Sequence, residues 1–362
     1  MKEFLKLLKE NKQYMEIMQS LLAGKDCAVN GLWGSSANFF VAAIAGEQLK
    51  ASKVRPKLLV VVPNIEEADE DLEDLNTFLP GHTSLFPAGE NIFADDFEDD
   101  VDIQAQRIHV LNQILHDDVH AKHNLDIIVA PIQAILQPVP SPRLISENIL
   151  RIQRNREYPL EELIAWLHDH HYRLTSQVEN AGEYALRGGI IDIFPFASDT
   201  PYRIEYFGDE IESIRKFNVE SQLSEQDLDT CQILALDKIY TANALSGESG
   251  KTSLLTYLRK DTWIVLKEPA SIENRVKAIW ASIDAEDSMS ILRKVSTDKQ
   301  VSPCNPCDKI FSQLSAFRKI ALSKLPVASN DGDYTFRVQS ADNFPQNIQE
   351  ITSELSKVIE TN

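Results

Sequence analysis

Phosphate chemistry in this sequence, if present, falls on the glycine-bearing loop Gly31-Leu32-Trp33-Gly34-Ser35-Ser36. A phosphate-binding loop needs glycines so that the backbone can approach closely, a lysine to reach the β and γ phosphates, and a hydroxyl to hold magnesium. Laid on that pattern, Gly31 and Gly34-Ser35 remain, but the last glycine is Ser36, the lysine is Ala37 and the hydroxyl residue is Asn38. The second half of such a site is an Asp just before a Glu at the end of a buried strand. Here the apolar run Trp263 to Leu266 leads into Lys267-Glu268-Pro269, and a lysine at that position repels the metal instead of holding it. A second Gly-Lys-Thr ending, in Gly247-Glu248-Ser249-Gly250-Lys251-Thr252, has Leu245 where the first glycine is required. No buried strand leads into it, so it reads as a solvated linker with a helix start at Thr252.

Metal chemistry has equally thin support. Cys304-Asn305-Pro306-Cys307 has knuckle spacing without a second close pair, and Cys27 and Cys231 stand alone, which describes neither a zinc site nor a disulfide framework. His168, His170 and His171 cluster where a helix is expected to end, and suit the negative end of its dipole better than a metal. No catalytic, cofactor-binding or metal-ligating residue is assigned.

Composition narrows the classes further. The chain has 362 residues, 43% of them apolar and 25% charged, enough for two or three folded domains. No apolar run approaches the eighteen or so residues of a membrane span. The first twenty-two residues mix charge and apolar side chains at helical spacing, as an amphipathic helix does and a signal peptide does not, so a cytoplasmic protein is expected. A net charge of −19 opposes any groove meant to follow a nucleic-acid backbone. The acid is concentrated in Glu66 to Asp74 and Glu90 to Asp102, both read as a solvated helix start or loop.

Strands and helices alternate through the first 140 residues: Asp26 to Asn30, a helix from Ala37, the buried run Lys57 to Pro63, an acidic helix to Phe78, Ser84 to Phe86, a helix from Val101 to Leu115, and Asp126 to Ala130. That rhythm predicts a parallel sheet with crossover helices. Pro138, Pro140, Ser141 and Pro142 mark a rigid linker. Beyond it, Asn148 to Arg154 reads as a strand, and Pro159 starts a helix with Leu160, Leu163, Ile164 and Leu167 on one face. A strand from Tyr172 to Val178 follows, then three more: Tyr184 to Phe196, Tyr202 to Phe207 and Glu210 to Phe217. Between Lys122 and Lys216 there is no lysine, but there are eight arginines, a bias that suits a protein-docking surface. After about Asp229 the alternating pattern returns, with strands at Thr262 to Leu266 and Tyr334 to Val338. Helices are read at Leu254 to Leu258, Ile272 to Ala285, Lys309 to Phe317 and Phe344 to Ile359.

The run Gly182-Glu183-Tyr184, Arg187 before Gly188-Gly189, the apolar residues around Asp192, Phe194-Pro195 and Pro201-Tyr202-Arg203 resembles the second domain of the bacterial transcription-repair coupling factor. The match extends through Asp209-Glu210-Ile211 and Phe217 to Glu220-Ser221-Gln222, and more loosely the run is similar to the matching domain of the excinuclease B subunit. The resemblance implies an α/β fold: a discontinuous RecA-like parallel-sheet domain with a degenerate P-loop, formed by residues 1–140 and 229–362 and interrupted at 141–228 by a small α+β domain with an antiparallel sheet. It implies that the inserted domain binds excinuclease A, with Arg173 and Arg187 at the positions of the family's contact arginines and Gln177, Glu183 and Tyr184 beside them. RNA polymerase and double-stranded DNA are then engaged only through family domains missing here, those of the ATP-driven translocase, and a fragment of a longer protein is expected. The alternative is an ATP-dependent repair helicase of the excinuclease B type. That type threads damaged DNA behind a tyrosine-rich hairpin, whereas Ala88 to Asp102 holds only Phe93 and Phe97 among seven acidic residues.

Overall fold

The computed structural model describes residues 8, 10–51, 56–89, 101–115, 125–240, 251–293, 307–325, 333–336 and 338. Its larger unit is a seven-stranded, wholly parallel sheet. In chain order the strands are β1 (Cys27–Asn30), β2 (Leu58–Val62), β3 (Thr83–Leu85), β4 (Ile127–Pro131), β15 (Trp263–Lys267), β16 (Arg318–Ser323) and β17 (Asp333–Thr335), and their spatial order is β17-β1-β16-β15-β2-β4-β3. The sheet is continuous only because β15 and β16, from the far side of the central domain, lie between β1 and β2.

Alternation along these strands divides the core in two. Leu59, Val61, Ile128 and Ala130 point to one face, where helices α4 (Val101–Leu115) and α9 (Pro269–Arg293) contribute Ile108, Leu111, Ile272 and Val276. Leu58, Val60, Val62, Ile127 and Val129 point to the other, against Tyr14 and Ile17 of α1 (Lys12–Leu22), Phe40 and Ile44 of α2 (Ser35–Ala51), and Ala68 and Leu75 of α3 (Ile65–Phe78). Every residue of β2 is buried because helices cover both faces, which is why the run reads as unbroken Leu and Val.

The central unit is a six-stranded sheet of order β12-β11-β10-β9-β8-β7, made of β7 (Arg173–Leu174), β8 (Glu183–Arg187), β9 (Ile190–Phe194), β10 (Tyr202–Phe207), β11 (Glu210–Phe217) and β12 (Ser224–Leu228). It is antiparallel except for the β7–β8 pair. Helix α7 (Leu160–Asp169) lays Leu163 and Leu167 on Ile191, Ile193, Ile204, Ile211 and Ile214. The ribbon of β6 (Ile149–Gln153) and β13 (Thr230–Leu234) adds Ile152 and Ile233 to that core. This is the α/β architecture of a RecA-like domain carrying an antiparallel insert.

Several local expectations change. Tyr184 to Phe196 is not one strand but the β8–β9 hairpin, because Gly188, at φ +63°, and Gly189 supply the turn that a two-residue connection demands. Of Tyr172 to Val178 only Arg173–Leu174 is strand. The helix expected to reach Phe317 is α10 (Cys307–Leu314), after which Arg318–Ser323 becomes a central strand. Lys251–Thr252 pairs with Val139–Pro140 at the junction of the two units instead of starting a helix, and Ser253 caps a single 3-10 turn at Leu254–Thr256. Residues 90–100, the stretch 241–250, Cys304 and the helix expected at Phe344 to Ile359 lie outside the described residues.

Candidate functional site

The first candidate is the loop after β1. Gly31 has φ +80°, and a Cβ built on it would lie 2.1 Å from Phe336 O. The Phe336 N–H donates to Asn30 O at 2.9 Å, so the residue that follows the edge strand β17 lies directly over this glycine. Gly31 therefore answers a packing demand of the sheet. Further along, the Ser36 hydroxyl donates to Trp33 O at 2.7 Å and the Ala37 N–H to Gly34 O at 3.4 Å, closing the loop on itself.

Beside the loop lies a cavity of about 330 Å³, lined by Leu32, Gly34, Ser35, Ala37, Asn38, Glu67, Glu70, Asp71, Glu73, Asp74, Lys267, Glu268, Leu322, Ser323 and Lys324. Asn38 lies on this wall and is 2% exposed. Its amide donates to Asp71 Oδ1 at 2.8 Å and to Asp74 Oδ2 at 3.0 Å. Lys267 comes in from the end of β15, donating to Asn38 Oδ1 at 3.1 Å and lying 2.5 Å from Asp71 Oδ1. The cavity wall thus carries six carboxylates against two lysines, one of them already ion-paired. Such a wall favours cations and opposes a polyphosphate.

Asp71 was not legible as special within the acidic run Glu66 to Asp74. The structure buries it to 4% exposure, so the run is not uniformly solvated. The signal was its spacing: Ala68, Asp71 and Leu75 fall at i, i+3 and i+7, on the stripe that faces the core. A carboxylate there requires a cationic partner, and Lys267 supplies it.

The second candidate is the edge of the central sheet. Arg173, on β7, keeps 71% of its side chain exposed while pairing with the carboxylate of Glu183. Glu183 is buried beneath the loop 175–180, where it also accepts from the Glu179 N–H at 2.9 Å, the Asn180 N–H at 3.0 Å and the Asn180 side chain at 3.4 Å. Burial alone would raise this carboxyl. The two backbone N–H donors, with Arg173 and the Asn180 amide, outweigh it and bring the pKa down to about 2. On the far side of the loop, exposed Arg187 donates to Ser176 O at 3.4 Å.

Arg173, Gln177 and Arg187 are thus exposed around one loop, with Glu183 fixing it from below. Tyr184 differs: it is 4% exposed and packs in the core with Tyr172 and Ile191, so it offers a partner no area, because alternation along β8 points it at α7. The histidines do not converge. His170 Nδ1 is 2.9 Å from Asp237 Oδ1 and its ring lies against Trp166, while His168 lies beside Asp169. Among the described residues no three potential ligands group to hold a metal, and no helix is long and apolar enough to cross a membrane.

The second candidate lies in a region that resembles known proteins. Residues 150–240 match the family model of the UvrB interaction domain. The transcription-repair-coupling factor of Bacillus subtilis is 30% identical over 228 residues, 62% of this chain and 18% of that protein. Its namesake in Escherichia coli is 24% identical over 254 residues, 70% of this chain and 21% of that protein. That of Mycobacterium tuberculosis is 31% identical over 179 residues, 49% of this chain and 14% of that protein. The chain therefore spans about a fifth or less of the length of these relatives, and over half to 70% of its own length it resembles an N-terminal segment of the transcription-repair-coupling factors, with the match to the UvrB interaction domain at its centre.

Proposed function

We propose that this chain is a non-catalytic docking module of transcription-coupled nucleotide excision repair, acting in the cytoplasm, whose central domain recruits excinuclease A. The observation that carries this reading is the placement of Arg173 and Arg187, exposed on either side of one loop, inside the region that matches the UvrB interaction domain. Arg173 is held in place before any partner arrives, so little side-chain entropy remains to be lost on binding. Gln177 lies between the two arginines in sequence and shares the contact, while Glu183 orders the loop.

The cavity beside Gly31 is not a working ATPase site in this reading. Asn38 and Lys267 tie up the positions that a triphosphate and its magnesium need. RNA polymerase and double-stranded DNA are engaged by other parts of a longer protein. The test is the affinity of excinuclease A for this chain and for the Arg173→Glu/Arg187→Glu variant. The double charge reversal is expected to weaken binding by several kcal/mol, about the loss seen when desolvated interfacial charges are broken. Unchanged affinity removes the assignment.

A further inference from the structure

Phe207 is 79% exposed, more than any other large apolar side chain among the described residues. It stands at the tip of the β10–β11 hairpin, next to Gly208 at φ +62°. The Tyr206 N–H donates to Gly189 O at 2.8 Å, so this tip touches the glycine turn that Arg187 leads into. Alternation along β10 puts Phe207 on the sheet face of Arg203 and Glu205. The registers Arg187 opposite Ile190 and Ile190 opposite Glu205 put Arg187 on that same face, two strands away. Two strand spacings across and the two residues from Glu205 to Phe207 along β10 together amount to roughly 12 Å.

The charges between these two residues are already satisfied within the sheet. Arg203 makes two bonds to Asp192, at 2.7 and 2.8 Å, and its guanidinium lies 4.6 Å over the Phe217 ring. Glu205 takes Arg215 and, at 2.8 Å, the Ser213 hydroxyl. These guanidinium groups are also largely covered, with 17% of Arg203 and 28% of Arg215 exposed against 71% of Arg173, so they have few donors left to offer a partner. Arg187, with its long 3.4 Å bond, and Phe207 are the groups with most to gain. The hairpin also carries Asp209, Glu210 and Glu212, which oppose a nucleic-acid backbone and favour a protein partner.

We infer that the docking face continues from Arg173 and Arg187 across to Phe207, and fits a protein surface that offers an apolar pocket for the ring beside carboxylates for the two guanidinium groups. A rigid aromatic ring seated in a desolvated pocket is the usual form of an interface hot spot. This inference rests on the docking reading above, and excinuclease A is the probe. Phe207→Ala is expected to weaken its binding by about 10- to 100-fold, with Phe207→Leu falling between it and the parent and the thermal midpoint of both unchanged. Loss in the Arg173→Glu/Arg187→Glu variant with parental affinity for Phe207→Ala overturns this inference and leaves the docking reading standing. Parental affinity for both variants overturns both.

Discussion

Lys267 Nζ lies 2.5 Å from Asp71 Oδ1, joining the end of strand β15 to helix α3 at the wall of the cavity beside Gly31. Both side chains are nearly buried, and both reach Asn38. Removing one member of such a pair leaves a charge in a place where water cannot restore its lost partner. Lys267→Ala is expected to destabilise the chain by about 3 kcal/mol, and so is Asp71→Ala. The pair Lys267→Met/Asp71→Leu should lose less than the two single losses combined, a non-additivity that urea unfolding would measure.

The two glycines of the loop should respond differently to alanine. At Gly31 the added methyl meets the Phe336 carbonyl and the backbone sits at φ +80°; at Gly34, φ +53°, there is nothing within 4 Å. Gly34→Ala bears only the left-handed backbone penalty, about 1 kcal/mol. Gly31→Ala also has to move a neighbouring strand, so its loss should be at least twice as large. Equal midpoints for the two variants would contradict the role given to β17.

Magnesium-ATP should show no saturable binding at millimolar concentration by equilibrium dialysis. A triphosphate brings several negative charges to a wall of six carboxylates, where Lys267 is committed to Asp71. Saturable binding would favour the helicase alternative.

Acid should loosen the loop that carries Gln177. The Glu183 carboxyl, at about 2 in the folded chain against 4.5 when unperturbed, stays charged in the native state at pH values where the unfolded chain has taken up a proton. Its contribution is fully present above pH 4.5 and fades as pH falls from there towards 2. Glu183→Gln should therefore be less stable than the parent at pH 7, with the gap narrowing through that window in denaturant titrations. A gap that stays constant with pH would show that the charge is not what holds the loop.

Sequence patterns carried most of the parallel sheet, because strands buried on both faces leave uninterrupted apolar runs such as Leu58 to Val62. β16 escaped for the converse reason. Arg318 and Lys319 open it with charge, and only Ile320 and Leu322 alternate inward, too few positions to distinguish a strand from the end of the preceding helix. The β8–β9 turn was written in Gly188-Gly189, but the apolar residues on both sides of it resemble one long strand. At the edge of the central sheet the two arginines were legible by type and position, and the structure leaves both exposed. Glu183 was not legible as an anchor, since its role depends on N–H groups at Glu179 and Asn180 that converge only when β7 and β8 pair. The partnership of Lys267 with Asp71 spans 196 positions and is created by the sheet order alone.

That sheet order also sets a timetable for synthesis. Cys27 is paired with Ile320, so β1 leaves the ribosome almost three hundred residues before its neighbour exists, while every strand of the central sheet is completed in a single short stretch. The central domain is thus free to mature early, and the amino-terminal strands wait with open edges that invite chaperones or self-association. Any expression boundary drawn between residues 235 and 317 leaves β1 without β16, whereas one that retains Thr335 lets it close on both edges.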